Sequence, residues 1–265
     1  MPRLTDTHCH LDFDRFDPDR EAVIQRAADQ GLERILIPGL DIDSSRAAIA
    51  LAEKYEMTYA AVGVHPNSGE TWQADTRAQL AELSKHPKVV AIGEIGLDFY
   101  WDTTPKPLQR KILRQQLELA AEVGLPVIIH DREAHAELIP ILVDWQEELD
   151  SEGLELAEKP GVMHSYSGDI LQAQDVLKSG YYLGITGPVT FKKALEMQEV
   201  AEKAPQDRLL IETDAPFLTP HPFRGKRNEP AYVYYMAEKI ASLRGTSLED
   251  VGEFTSRNAK RLFNW

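Results

Sequence analysis

Two hydrophobic rhythms alternate along this chain. Short apolar runs of four to eight residues fall at 3–8, 34–39, 58–65, 89–95, 126–130, 161–164, 181–186 and 208–214, the length and composition of buried β-strands. Between them lie stretches with apolar positions at helical spacing, for example 18–30, 44–55, 107–123 and 134–149, which predict amphipathic helices. Eight strands alternating with helices predict an α/β fold, a parallel sheet closed into a (β/α)8 TIM barrel. Residues 247–263 read as a C-terminal closing helix, with Thr246 or Ser247 as its N-cap.

Boundary residues agree with that pattern. Asp17-Pro18 and Asp43-Ser44 are helix entries, and Gly31, Gly124 and Gly180 follow helical stretches where a left-handed cap is wanted. The acidic stretch 147–158 reads as a solvated helix end and loop. With no low-complexity linker, residues 1–265 are expected to form one domain.

Composition narrows the picture mainly by exclusion. The 43% hydrophobic and 27% charged fractions are those of an ordinary soluble protein, and no run is long enough for a membrane span. The opening MPRLTDTHCHLDF has no apolar stretch of signal-peptide length, so a cytoplasmic location is expected. A single cysteine, Cys9, excludes an intramolecular disulfide and a cysteine-rich metal site. A net charge of −14 argues against gripping nucleic acid over a broad basic face. It does not argue against a nuclease, because divalent cations in a pocket set their own local field.

The chemistry collects where strands end. His8, His10, Glu94, His130, His164 and Asp214 each close an apolar run, and in a βα barrel the strand ends converge on one mouth, the layout of a metal-dependent active site. His8 and His10 are two apart, so on an extended strand both imidazoles face one way and Cys9 the other. Taken alone, the pair could equally be two hydrogen-bonded histidines. Glu94, between Gly93 and Gly96 in an apolar run, needs a cation: a basic side chain in a salt bridge, or metal ions that a carboxylate can bridge. His130 and His164 close consecutive strands and could hold a second metal.

Asp214 closes the eighth strand, the neighbour of the first in a closed barrel. One oxygen could bind metal while the other takes a proton from water. Glu212, on the same strand face, either orients a histidine ligand or is a plain structural carboxylate. Asp98, four residues beyond Glu94, either supports the site or caps the loop that follows it, and the loop is the reading preferred.

The segments TDTHCHLD, GVHP at 63–66, GEIGLDFY at 93–100, PVIIHDRE at 126–133, HSYSG at 164–168 and LLIETDAPFL at 209–218 occur in this order over nearly the whole chain. Through them the sequence resembles the TatD family of metal-dependent hydrolases, in the amidohydrolase-like superfamily. The resemblance implies a binuclear centre: His8, His10 and Asp214 on one ion, His130 and His164 on the other, Glu94 bridging. It implies a metal-dependent DNase of 3′–5′ exonuclease type using two divalent cations, Mg²⁺ or Mn²⁺, on DNA or RNA ends. Deacylation of D-aminoacyl-tRNA, or hydrolysis of a small ester or amide, is the alternative use of the same centre. Four imidazoles also suit Zn²⁺, Fe²⁺ or Ni²⁺. Thr5 and Ala136 depart from the residues usual at those places and touch no proposed ligand.

The resemblance places His65 and Arg132 at the substrate rim. Arg224, in the run 224–228 (RGKRN), is a further phosphate-binding candidate, with a solvated surface run as the alternative. Phe99, Tyr100, Trp101, Tyr166 and Phe217 lie near the same strand ends, where aromatic rings could stack on unpaired bases.

Overall fold

Strands and helices alternate throughout the computed structural model, which describes residues 2–265. The strands are β1 (Leu4–Asp6), β2 (Leu32–Pro38), β3 (Thr58–Val62), β4 (Val89–Asp98), β5 (Val127–Arg132), β6 (Gly161–Met163), β7 (Tyr182–Ile185) and β8 (Leu209–Ile211). They form one parallel sheet in the order β1 to β8. The chain beyond β8 returns to that beyond β1 through a parallel bridge between Cys9 and Ala215, and the Thr7 N–H donates to the Ile211 carbonyl at 3.2 Å. This is the expected (β/α)8 barrel.

The described residues contain nine α-helices: α1 (Arg20–Asp29), α2 (Ile42–Lys54), α3 (Thr76–Leu83), α4 (Lys106–Val123), α5 (His135–Ser151), α6 (Ile170–Lys178), α7 (Leu195–Lys203), α8 (Val233–Arg244) and α9 (Leu248–Phe263). Two entry signals move. Asp41, not Asp43, caps α2, because Ser44 completes a reciprocal box with it: the Ser44 N–H donates to the Asp41 carboxylate at 2.8 Å and the Ser44 hydroxyl accepts from the Asp41 N–H at 2.8 Å. Helix α1 begins beyond Pro18, at Arg20. Ser247 caps the closing helix α9 by a second such box with Asp250. In the acidic stretch the carboxylates are exposed, while Leu149, Leu156 and Ala157 turn inward.

The chain divides into two compact units. Among the described residues the first comprises 2–37, Ser165–Ala173 and Leu183–Asn264. Its core includes Leu4, Phe16, Val23, Leu36, Ile211, Met236, Ile240 and Val251, all fully buried. Helix α9 is tied beneath β8 by Asn258, whose amide donates to the Gln206 and Leu209 carbonyls at 2.8 and 2.9 Å.

The second unit comprises Pro38–His164, Gln174–Tyr182 and Trp265. Strands β4 and β6 are buried along their whole length, as a parallel sheet requires, and β5 over its first half. Helix α4 brings two polar residues into this interior. Gln116 closes a two-way amide pair with the Val64 backbone at 2.7 and 3.0 Å, and Gln109 does the same with the Asp98 backbone at 2.9 Å each way. Seven residues apart, they lie on one helix face and satisfy backbone groups where β3 and β4 give way to loops. Among the described residues no helix is long and apolar enough to cross a membrane.

Candidate metal centre

His8 and His10 lie just past β1, which is shorter than the apolar run suggests. The chain nevertheless stays extended there: the Cys9 N–H donates to the Leu36 carbonyl at 3.0 Å and the His10 N–H to the Ala215 carbonyl at 2.8 Å. The two-residue alternation therefore persists. The His8 and His10 Nε2 atoms are 3.3 Å apart, and the Asp214 Oδ1 lies 3.5 Å from His10 Nε2 and 3.9 Å from His8 Nε2. Ligands about 2.1 Å from one cation are separated by roughly 3.0–3.5 Å, by tetrahedral or octahedral geometry. The donor triangle thus has nearly the size that a divalent cation requires. Cys9 is fully buried, and burial pushes its thiol well above the ordinary range, which suits packing rather than metal binding.

Asp214 lies three residues beyond β8, with φ at +56°, a left-handed backbone that an aspartate tolerates better than most residues. Its neighbours hold it there. The Asp214 N–H donates to the His8 carbonyl at 2.9 Å, and its own carbonyl accepts from the Phe217 N–H at 2.8 Å. The buried amide of Asn228 donates to the Thr213 carbonyl at 2.9 Å and the Phe217 carbonyl at 2.6 Å, bracketing the turn.

From beneath, the Asp6 carboxylate accepts from the Thr213 N–H at 2.9 Å, the Thr213 hydroxyl at 2.6 Å and the His8 N–H at 3.3 Å. Complete burial pushes Asp6 up to about 8 against the opposing pull of those hydrogen bonds. Asp6, which the sequence pattern did not single out, and Asn228, which it offered only as the end of the basic run, both support the Asp214 turn. For Asp6 a signal existed, since it stands two before His8 on the same strand face.

Glu212 is buried and accepts from the Thr7 hydroxyl at 3.2 Å and the Ser165 N–H at 2.5 Å. It thereby holds the backbone immediately after His164. Gly184 makes room for it: a Cβ there would meet the carboxylate at 2.4 Å.

A second cluster forms in the other unit. Glu94 does not end its strand, as the apolar run implied, because β4 continues to Asp98. It sits where the register between β4 and β5 slips between Ile92 and Ile95, and such a bulge re-aims a side chain. The His130 Nδ1 lies 2.8 Å from Glu94 Oε1, His130 Nε2 lies 3.1 Å from Asp98 Oδ2, and His65 Nε2 lies 3.6 Å from Glu94 Oε1. One potential ligand atom from each of His65, Glu94 and His130 lies within 4.8 Å of the other two. Gly96 lets the two strands meet here, since a Cβ at its φ of +148° would lie 1.9 Å from the His130 carbonyl oxygen.

His130 is raised to about 9: burial lowers it, and the hydrogen bonds with Asp98 and Glu94 outweigh that. Asp98 moves the opposite way. Burial raises it, but hydrogen bonds from His130, Trp101 and Asn67 hold it well below the usual carboxylate range. Asp98 does cap its loop, accepting from the Tyr100 and Trp101 N–H groups at 3.0 and 3.1 Å. It also reaches His130, which its loop role alone did not suggest.

His65 has an assignable tautomer. Its Nδ1 accepts from the Asn67 N–H at 3.0 Å, so in the neutral ring the proton resides on Nε2, towards Glu94. That makes His65 a hydrogen-bond donor in this cluster. Asn67, also missing from the sequence reading, joins it to Asp98, its side-chain amide donating to the Asp98 carboxylate at 2.9 Å.

The remaining candidates are placed as follows. His164 follows β6 directly, is buried, and donates its N–H to the Ile129 carbonyl at 2.9 Å. The Arg132 guanidinium lies over the Tyr100 ring at 4.1 Å, and that of Arg224 over Phe191 at 4.2 Å. In the basic run, Arg227 is engaged internally in a bidentate pair with Asp19 at 2.7 and 2.8 Å, and Asn228 is buried. Of the aromatic residues, Tyr166 is core rather than rim, whereas Tyr100, Trp101 and Phe217 are exposed.

This arrangement was compared with known proteins. The profile of the TatD related DNase family matches residues 5–264. The chain belongs to the TatD family. Within it, the chain is 47% identical over 260 residues to the uncharacterized metal-dependent hydrolase YabD of Bacillus subtilis, covering 98% of each chain. It is 36% identical to the 3′-5′ ssDNA/RNA exonuclease TatD of Erwinia tasmaniensis, over 98% of this chain and 100% of that one. The crystal structure of YJJV, a TatD homologue from Escherichia coli K12, superposes with a TM-score of 0.91 at 35% identity, covering 99% of this chain and 98% of the other. As a TatD-family protein the chain is a metal-dependent hydrolase acting on ester bonds.

Proposed function

We propose that residues 1–265 act as one catalytic domain that shortens single-stranded DNA or RNA from its 3′ end. In this reading His8, His10 and Asp214 would hold one divalent cation, His130 and His164 would hold a second, and Glu94 would be shared between them. The observation that carries this reading is the His8–His10–Asp214 triangle, two of whose edges, 3.3 and 3.5 Å, fall within the donor spacing of a single cation, the third being slightly longer at 3.9 Å. Family membership and the name of the Erwinia relative support the nuclease assignment.

Bound Mg²⁺ or Mn²⁺ would supply Lewis acidity, activating water and offsetting phosphoryl charge. The protein's own groups do the rest. Asp214, with 15% of its side chain exposed, would take the proton from the attacking water on its carboxylate. The Nε2–H of His65 donates to a phosphate oxygen, and Arg132 and Arg224 supply positive charge at the rim. In a chain of net charge −14, such local donors must offset a repulsive overall field.

The test uses metal-stripped protein and a 5′-labelled single-stranded oligonucleotide, with and without Mg²⁺ or Mn²⁺. Stepwise shortening that depends on metal and disappears in Asp214→Asn supports the reading. No shortening with two ions bound would overturn it and move the activity to ester or amide substrates such as D-aminoacyl-tRNA.

A further inference from the structure

Three exposed groups, two just past β4 and one at the end of β5, cluster together. The Tyr100 and Trp101 rings meet edge to face with centroids 4.8 Å apart, and each residue is about half exposed, at 50% and 51%. The Arg132 guanidinium lies 4.1 Å from the Tyr100 ring centre and 5.7 Å from that of Trp101. Leaving two large aromatic rings open to water forgoes the stabilisation that burial would bring. A guanidinium over an aromatic face adds positive charge beside an apolar surface.

The unit is also anchored to the metal-binding cluster. Asp98, 1% exposed, accepts from the Tyr100 and Trp101 N–H groups with one oxygen and faces His130 Nε2 with the other, at 3.1 Å. Asp98 and Arg132 are opposite one another in the β4–β5 ladder, and the Phe99 N–H donates to the Arg132 carbonyl at 2.8 Å. A single buried carboxylate therefore sets the aromatic pair at a fixed distance from His130.

We propose that Tyr100, Trp101 and Arg132 form a stacking platform for the unpaired base at the 3′ end of the substrate, with Arg132 reaching the adjoining phosphate. An aromatic face accepts any base, so the platform selects for single-strandedness and not for sequence. A base held in a duplex already stacks and pairs, and cannot occupy the rings without being released. Charge favours the same occupant, because the guanidinium complements a phosphate one nucleotide away. The platform rests on the nuclease reading above.

The experiment compares two 5′-labelled single-stranded oligonucleotides with metal-loaded protein. They are identical except that one carries a base on its 3′-terminal nucleotide and the other an abasic tetrahydrofuran residue. Stacking is expected to lower KM for the base-bearing substrate on the order of tenfold or more relative to the abasic one. In the Tyr100→Ala/Trp101→Ala double variant that ratio falls towards one, and in Trp101→Phe it is retained. Quenching of tryptophan emission by the base-bearing oligonucleotide should be present in the unsubstituted protein and reduced in Trp101→Phe, which gives a readout independent of turnover.

A ratio near one in the unsubstituted protein, or a ratio that survives the double substitution, overturns the platform while leaving shortening intact. If neither oligonucleotide is shortened with ions bound, the nuclease reading falls and the platform with it. Because both rings are half exposed, the double variant should melt close to the unsubstituted protein. If it does not fold, the quenching of Trp101→Phe decides alone: undiminished quenching overturns the platform.

Discussion

Asn228 donates its side-chain amide to the carbonyl of Thr213 at 2.9 Å, so a buried residue fourteen positions beyond Asp214 determines where that carboxylate sits. Its second hydrogen bond, to Phe217 at 2.6 Å, closes the other side of the turn. Asn228→Ala leaves both carbonyls without this donor, and destabilisation of about 1–3 kcal/mol is expected. Metal affinity should fall as well, because φ of +56° at Asp214 persists only while its surroundings enforce it. Thermal melting together with a metal titration by calorimetry checks both. Unchanged metal affinity would show that the Asp214 turn holds without this amide.

Asp214→Asn keeps the shape of the side chain and removes its basicity. Oligonucleotide binding should survive while turnover falls by about 10²–10⁴, the range for loss of a general base. Single-turnover rates beside binding measured by anisotropy separate the two. Turnover within a few-fold of the unsubstituted rate would remove Asp214 from the proton-accepting role.

Chelation should abolish hydrolysis and lower the melting temperature together, because an ion that binds only the folded chain stabilises it by about 2.7 kcal/mol at a hundredfold excess over Kd. Re-addition of Mg²⁺ or Mn²⁺ should restore both, and Zn²⁺ should restore stability at lower concentration, since imidazole favours it. Activity retained through exhaustive chelation would contradict metal dependence.

Asp19 provides a pH-dependent test away from the centre. Hydrogen bonds from Arg227 hold it at about 2, with burial opposing and Arg26 assisting. A carboxylate depressed in the folded state contributes stability that is complete above its unfolded value of about 3.9 and is lost as pH falls through the folded value. The melting-temperature gap between the unsubstituted protein and Asp19→Asn should therefore be constant from pH 7 to about 5 and narrow between about 4 and 2. A gap that does not change across that range would mean the charge on Asp19 contributes nothing.

Much of this was legible in the chain. The apolar runs located all eight strands, and the helical periods located α1, α2, α4, α5 and α9, because burial on a pleat or a helix face leaves a period in the sequence. The ends of elements were less legible. The runs through His8 and Asp214 looked like strand to the last residue, yet β1 and β8 are three residues each. Apolar character reports burial, which continues past the last ladder hydrogen bond. Glu94 erred the other way, since β4 runs on past it to Asp98, and a register slip between strands leaves no mark in a list of apolar positions.

By itself, then, the sequence determined the barrel and the identity of the chemical groups, since both depend on residue type and spacing along one strand or helix. Only the tertiary structure decided which groups support them. Asp6 under Thr213, Asn228 across the Asp214 turn and Gln109 against the Asp98 backbone answer to buried polar atoms on other segments. It decided as well that Arg227 of the basic run is spent on Asp19 while Arg132 lies over Tyr100. A hydrogen bond or ion pair between distant residues depends on the position of its partner, and that position exists only once the chain has folded.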